Sequence, residues 1–434
     1  MGDIVSKFGG SSVAEAVQIR KIESIIHSDP RRRYIVVSAP GKRDAKDEKI
    51  TDLLYTCQSL SVQGKPFDEP FGTVCDRFMR IDRELETSSG VQNWMQEIRD
   101  QLVAGASADL AASRGEYLCA RLLATYLKAT FVDAAEIIRL NGNDSVDEST
   151  YELTANRLTK PGIYVIPGFY GATLTGEVKT FSRGGSDITG ALVASAVQAE
   201  MYENWTDVSG LLMADPQIVS NPRPMAEVTY REIRELSFMG AKVFHEEAIL
   251  PVYKQRIPIN IRNTNKPEDP GTMIRAKRDA ELQSIAGVAG RNGLGLLYLE
   301  KFLLHKEPHY RSKIFEILKD QGVDWQWERA GIDSIAVVLS EGQLADKQGL
   351  LTNIIEEELQ PDHLEILRNM SIVAVVGEGI SEQSGFVAGL LLLLSEKKIK
   401  IRLIDEGSSK ITVHFLVHSK DFQRTVKTIY SAIG

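Results

Sequence analysis

Ile4-Val5-Ser6-Lys7-Phe8-Gly9-Gly10-Ser11-Ser12, answered further on by Tyr34-Ile35-Val36-Val37, is the stretch that decides the fold. Residues 4–8 read as a short strand, and Gly9-Gly10 breaks it. Ser12 starts a helix, with Glu15 completing a capping box, and Val13, Val17, Ile22 and Ile26 sustain its apolar face. Residues 34–37 form the next strand. Strand, helix and strand at this spacing predict a right-handed parallel βαβ unit.

The alternation continues outward. Strands are expected at 164–166, 199–204 and 257–261, and helices at 116–127 and 187–198, which predicts an α/β sandwich with a largely parallel sheet. The turn-rich run Asn265-Lys266-Pro267-Glu268-Asp269-Pro270-Gly271 leads to a boundary near 277. Beyond it, strands at 295–300, 323–327, 334–339 and 363–367 and helices at 311–320 and 346–359 make one βαββαβ unit. A second begins with the strand 371–376, followed by a helix at 385–395, strands at 399–404 and 411–417, and a helix at 421–433. It ends one strand short. Residues 284–289 can supply that strand, which nests one small domain in the other. The expected domains are 1–277 and 284–434, the latter divided into about 293–368 and about 284–290 plus 371–434.

The length of 434 residues suggests about three domains. A hydrophobic content of 43% and a charged content of 25% are those of a soluble globular chain. Lys+Arg 51 against Asp+Glu 59 gives −8, which argues against a nucleic-acid binder needing a basic face. The apolar run 386–394 is far short of the roughly 20 residues that cross a bilayer. Cys57, Cys75 and Cys119 are odd in number and widely spaced, unlike a disulfide framework or a zinc site. A reducing cytoplasmic setting is expected.

No Walker A pattern is present, and no G-x-G-x-x-G follows a strand, so the signatures of P-loop enzymes, typical protein kinases and Rossmann dehydrogenases are missing. Four glycine-rich turns remain. In Lys7-Phe8-Gly9-Gly10 a lysine at a strand end faces glycines that let backbone N–H groups approach an anion. Ser182-Arg183-Gly184-Gly185-Ser186-Asp187 pairs a guanidinium, which grips carboxylates or phosphates bidentately, with a carboxylate placed as a helix cap. Trp205-Thr206-Asp207-Val208-Ser209-Gly210 is either a nucleotide contact or a β-turn with an Asx bond. Gly240-Ala241-Lys242-Val243 offers a lysine to a phosphate or to solvent. His245 reads as structural.

Together and in this order these motifs resemble those of the aspartokinases, over essentially the whole chain, and Pro270-Gly271-Thr272 resembles the end of that family's kinase domain. The resemblance implies an amino-acid-kinase fold, a largely parallel sheet sandwiched by helices, followed by two interleaved ferredoxin-like ACT domains. It implies ATP-dependent phosphorylation of the L-aspartate β-carboxylate, with Mg²⁺ entering on ATP. By the same resemblance Lys7 contacts the transferring phosphoryl group and Asp187 orders the centre. Ser38, Thr51, Glu116, Arg183 and Ser186 hold aspartate, and Gly9, Gly10, Phe169, Thr206, Asp207 and Lys242 line the nucleotide. It also implies a homodimer or a dimer of dimers, with lysine or threonine as effector, and neither nucleic acid nor membrane as partner. The sequence departs from the pattern in places, among them the loop Pro40-Gly41-Lys42-Arg43-Asp44, which is more basic than usual. Leu212 and Gln217 replace the family's usual tyrosine and arginine, and residues 324–330 replace its Thr-Ser-Glu stretch. No glycine opens the helix near His309-Tyr310-Arg311. The nearest alternatives are a glutamate, acetylglutamate or uridylate kinase, which lack the tandem small units, and an amino-acid sensor without turnover.

Overall fold

Five consecutive buried residues make β1 (Ile4–Phe8), because the strand lies at the centre of a sheet covered on both faces. A computed structural model describes residues 2–142, 145–182, 184–241, 248–279 and 284–433. It divides into two compact units. The first comprises 1–211, 224–233 and 243–278, and the second 212–223, 234–242 and 279–434.

The first unit continues with β2 (Arg32–Val37), β3 (Thr130–Phe131), β4 (Arg139–Leu140), β5 (Tyr164–Pro167), β6 (Tyr170–Thr173), β7 (Val178–Thr180), β8 (Met201–Thr206), β9 (Glu227–Thr229), β10 (Ile259–Asn263) and β11 (Thr272–Arg275). Its main sheet has the order β3-β5-β2-β1-β8-β10-β11-β9. The run from β3 to β10 is parallel, and β11 turns antiparallel against β10. A smaller sheet, β4-β6-β7, stands apart.

The βαβ expectation holds, but its helix begins differently. Gly10–Val13 is a single 3₁₀ turn and the α-helix is Ala16–His27, with no side-chain cap at Glu15. Ser12 Oγ instead lies 2.7 Å from Thr264 Oγ1, so the hydroxyl is occupied across the fold and the capping box does not form. Between β2 and β3 stand four helices, Ile50–Val62, Asp68–Leu85, Val91–Val103 and Ala108–Leu127. Sequence reading found only the end of the last. The apolar spacing Phe71, Val74, Phe78, Ile81 and Leu85, all buried, is the overlooked helical signal.

The centre of this sheet is tied by a buried carboxylate. Glu203, 2% exposed, accepts from Arg32 Nε at 2.8 Å, Ser6 Oγ at 2.8 Å and Trp205 Nε1 at 2.9 Å, with Arg262 Nη1 at 3.6 Å. The two guanidiniums lie over the Trp205 ring, 5.4 and 4.6 Å from its centroid. Four adjacent strands are thereby joined by one side chain.

The second unit adds β12 (Gly287–Glu300), β13 (Trp325–Ala330), β14 (Ser334–Ser340), β15 (His363–Val376), β16 (Ile401–Glu406) and β17 (Thr412–His418) in one sheet of order β13-β14-β12-β15-β17-β16. The expected interleaving takes a definite form. β12 pairs Gly287–Arg291 with Ile372–Val376, then shifts register and pairs Leu294–Glu300 with β14 and with the first part of β15. The separate short strands expected at 363–367 and 371–376 are one strand serving both halves. Alternate residues split between the faces. Leu297, Leu299, Val337 and Leu339 pack on the helices Pro308–Asp320 and Gln348–Leu359, and Val373, Val375, Val413 and Phe415 pack on Phe386–Glu396 and Phe422–Ile433.

Removing Glu203 strands buried charge. Glu203→Ala is expected to cost about 3–5 kcal/mol, read as a lower urea midpoint by tryptophan fluorescence. An unchanged midpoint would show that the cluster adds nothing to stability.

Candidate active site

The register of β1 against β8 sets Lys7 beside Asn204. Lys7 is 8% exposed, and its Nζ lies 2.6 Å from Asp187 Oδ1 and 3.4 Å from Asn204 Oδ1. Asn204 Nδ2 donates to the same Asp187 oxygen at 2.9 Å. Asp187 stands in the first turn of the helix Gly185–Ala196, whose N-cap is Gly184 in the left-handed region with no side-chain cap. Its carboxylate therefore serves Lys7 and Asn204 rather than the helix end. Gly190 lets the helix settle on Tyr202, since a Cβ there would meet the ring at 2.6 Å, and Tyr202 Oη donates to the Asp187 carbonyl at 3.2 Å.

The glycines beside Lys7 have distinct tasks. Gly9 N–H donates to the Trp205 carbonyl at 3.0 Å, so this amide is already engaged. A Cβ on Gly9 would lie 3.6 Å from Lys7 Nζ, so its absence opens space next to the ammonium. Gly10 sits against the turn after β2, where a Cβ would meet the Ala39 carbonyl at 3.0 Å, and its own carbonyl accepts from Gly41 N–H at 2.8 Å.

The same turn reaches Glu116. Gly115, in the helix Ala108–Leu127, lies so close to Ala39 that a Cβ would stand 2.8 Å from the alanine methyl. The Ala39 backbone N–H bonds to the Glu116 carboxyl group. Glu116 is 5% exposed, and its Oε2 has no hydrogen-bond partner among the described residues. Burial pushes its pKa up to about 8, against the opposing pull of the Ala39 N–H and the charge of Arg114. Ser38 N–H donates to the Phe8 carbonyl at 3.1 Å, which joins this corner to the Lys7 strand. Ser38 and Thr51 are half-buried, Thr51 in the first turn of Ile50–Val62.

Phe169 and Ser186 meet through glycines. Phe169 has φ of +77°, and a Cβ on Gly185 would lie 2.8 Å from its Cα. A Cβ on Gly168 would come within 2.6 Å of Ser186 Oγ. Thr206 ends β8 half-buried, and its hydroxyl donates to the exposed Asp207 carboxylate at 3.2 Å. Arg183, Lys242 and His245 lie outside the described residues. Sequence reading gave no site role to Asn204, Gly41 or Gly168. The last two follow prolines, and Pro-Gly is a turn signal; Asn204 carried no local signal.

The arrangement places a buried ammonium, space for an anion beside it, and an unpartnered buried carboxyl oxygen around one end of the parallel strands. A carboxyl with a raised folded pKa binds more protons in the native state than in the unfolded one, so its contribution to stability falls as pH rises between the two values. Glu116→Gln escapes this loss. Its stability relative to the parent is expected to grow as pH rises from the ordinary 4.5 to about 8. Urea midpoints at both ends of that range test it, and a pH-independent difference contradicts the burial of a titrating Glu116.

Comparison with known proteins follows the same division. The amino acid kinase family matches residues 4–263, and the ACT domain matches 373–433. Aspartokinase 3 of Bacillus subtilis is 34% identical over 445 residues, covering 98% of this chain and 97% of that protein. The crystal structure of Clostridium acetobutylicum aspartate kinase shares 44% identity with a TM-score of 0.93, each chain covered completely. E. coli aspartokinase III in complex with aspartate and ADP, in the R-state, shares 25% identity with a TM-score of 0.74 over 99% of both chains. The T-state complex of that enzyme with lysine and aspartate shares 26% identity at the same TM-score.

Proposed function

The chain belongs to the aspartokinase family, and on that premise we propose that it transfers the γ-phosphoryl group of ATP to the β-carboxylate of L-aspartate, giving 4-phospho-L-aspartate. The observation that carries this reading is the corner where the buried Lys7–Asp187 pair adjoins the Ser38-Ala39 turn and the unpartnered Glu116.

The acceptor carboxylate has a pKa of about 4 and is ionised at neutral pH, so no general base is required. Catalysis then consists of positioning and charge neutralisation. Lys7 meets the transferring phosphoryl oxygens, and Asp187, with Asn204, fixes the ammonium in place. Glu116 receives the substrate α-ammonium. The arriving cation draws the buried carboxyl to its ionised form, so binding expels a proton. Ser38, Thr51 and Ser186 complete the aspartate pocket, and Arg183 clamps the α-carboxylate. Gly9, Gly10, Phe169, Thr206, Asp207 and Lys242 line the nucleotide. Mg²⁺ arrives on the ATP phosphates, held mostly by them and by water, and neutralises their charge. The exposed Asp207 carboxylate at the end of β8 is of the right chemistry to face it.

The second unit is the place for feedback by an end product of the lysine, threonine and methionine route. Lysine or threonine is the proposed effector. β13 and β16 end the six-stranded sheet, and pairing along such edges suits a homodimer or a dimer of dimers. Cys57, Cys75 and Cys119 are unpaired thiols, in keeping with a reducing cytoplasm.

Protein with MgATP and L-aspartate, trapped with hydroxylamine, should yield aspartate-dependent hydroxamate, and lysine or threonine should lower the yield. No hydroxamate alongside amino-acid binding would favour a sensor instead. Lys7→Ala is expected to lower kcat by roughly 10²-fold or more, and Arg183→Ala to raise the KM for aspartate. Turnover near that of the parent for the first, or an unchanged KM for the second, removes that residue from its role.

A further inference from the structure

The helix Asp68–Leu85 turns Phe71, Val74, Phe78, Ile81 and Leu85 to the core, and Arg77 lies on the same buried face, 4% exposed. An arginine is almost never fully buried unless it is paired. Its Nη1 donates to the Gly41 carbonyl at 3.0 Å, and its Nη2 lies 2.5 Å from Asp47 Oδ2. Arg43 grips the same carboxylate, its backbone N–H and Nε donating to Oδ2 at 2.9 and 3.0 Å and its Nη2 to Oδ1 at 2.9 Å. Residues 38–49, which contain both partners of Arg77, carry neither helix nor strand. All of this lies within the first unit.

The same irregular segment borders the candidate active site. From Ser38 to Gly41 only Pro40 lacks an amide N–H, and the three N–H groups present are all engaged there. Ser38 donates to the Phe8 carbonyl at 3.1 Å, Ala39 to the Glu116 carboxyl group, and Gly41 to the Gly10 carbonyl at 2.8 Å. The approach is close, since a Cβ on Gly41 would stand 2.7 Å from the Gly10 carbonyl carbon. Gly41 is thus held by its N–H to Gly10 and by its carbonyl to Arg77. No sheet ladder braces this strap, and the guanidinium does so instead. Stability alone gives little reason for a cation at this position, because well-packed apolar side chains commonly replace a buried ion pair without loss. An apolar side chain, however, cannot hold a carbonyl.

We propose that Arg77 is a positioning residue for phosphoryl transfer: by holding the Gly41 carbonyl it fixes the backbone that sets the Gly9-Gly10 turn beside Lys7 and the Ala39 N–H on Glu116. It acts through Gly41 and not on a substrate. The proposal rests on the reading above, in which this corner brings aspartate and ATP together. Lysine is no substitute, because a single ammonium on a flexible stem lacks the planar fork that spans Gly41 and Asp47.

The test compares the full-length protein with Arg77→Lys, Arg77→Met and Arg43→Gln. Arg43 shares Asp47 with Arg77, but its side-chain hydrogen bonds run to that carboxylate alone, so its variant is the control. Hydrogen–deuterium exchange at the amides of Ser38, Ala39 and Gly41 should be about tenfold faster or more in both Arg77 variants and near the parent's in Arg43→Gln. Because a misplacement of about 1 Å can cost roughly 10²-fold, kcat for hydroxamate formation per folded molecule, counted by near-ultraviolet circular dichroism, should fall about tenfold or more in both Arg77 variants. In Arg43→Gln it should stay near the parent's. An arginine that only stabilised the fold would lower the thermal midpoint and leave kcat per folded molecule unchanged. Arg77→Lys keeps a charge on Asp47 and carries both measurements should Arg77→Met fail to fold. Unchanged exchange at 38–41, full turnover in Arg77→Lys, or an equal loss in Arg43→Gln overturns the proposal. A parent that forms no hydroxamate sinks the phosphotransfer reading by itself, and exchange then still decides whether Arg77 holds this corner.

Discussion

The Glu203 carboxylate is the constraint on which the first unit depends. It accepts from groups on β1, β2 and its own β8, and Arg262 of β10 stands beside it, so the four central strands share one anchor. A parallel sheet gains no register from hairpin turns and must take it from side chains. Ser6 stands opposite Glu203 and Lys7 opposite Asn204. Because side chains alternate between faces, fixing the first pair on one face fixes the second pair on the other. A slip of one residue would turn Lys7 away from Asp187. The electrostatic anchor and the placement of Lys7 beside Asp187 are thus consecutive consequences of one register.

Much of this was legible because glycine and strand ends mark themselves. Residues 4–12 read correctly as strand and break, and Gly184-Gly185 before a small-residue helix marked the second turn. Ser12 misled, since a serine before an apolar run satisfies the helix-start pattern whether its hydroxyl caps or, as here, bonds to Thr264. Nothing local distinguishes those outcomes across so long a separation in sequence. Glu203 was illegible for the same reason, because a glutamate inside a strand reads as an exposed position until its partners on β1, β2 and β10 are known. The helices between β2 and β3 were legible in principle and were missed for want of a periodicity count at Phe71, Val74 and Phe78.

In the second unit one strand count carried more information than any motif. A chain that ends one strand short must borrow an edge, and β12 supplies it by extending through both halves. The cost of joining two sheets falls on the register shifts between Arg291 and Leu296. Gly290, just before that shift, has no room for a side chain, since a Cβ would lie 2.4 Å from the Phe422 ring and 2.8 Å from the Ile372 carbonyl. Continuity of β12 and β15 makes the two halves one sheet.

The state of Lys7 before substrate arrives bears on how the site works. Asp187 holds the Lys7 Nζ at 2.6 Å, and Asn204 holds the same carboxylate oxygen at 2.9 Å, so the lysine side chain is placed by the fold. That is the preorganisation on which charge-stabilised transfer relies. In the proposed reaction the acidic neighbour need not act as a base. Asp187 is engaged by Lys7 at 2.6 Å and by the Asn204 amide at 2.9 Å, and in the proposed reaction an ionised carboxylate nucleophile has no proton to surrender. Glu116 differs, since its Oε2 has no partner among the described residues, and in the proposed reading the substrate α-ammonium supplies one. In the proposed reading, then, one side chain is paired by the fold before the substrates arrive and the other takes its partner from the amino acid.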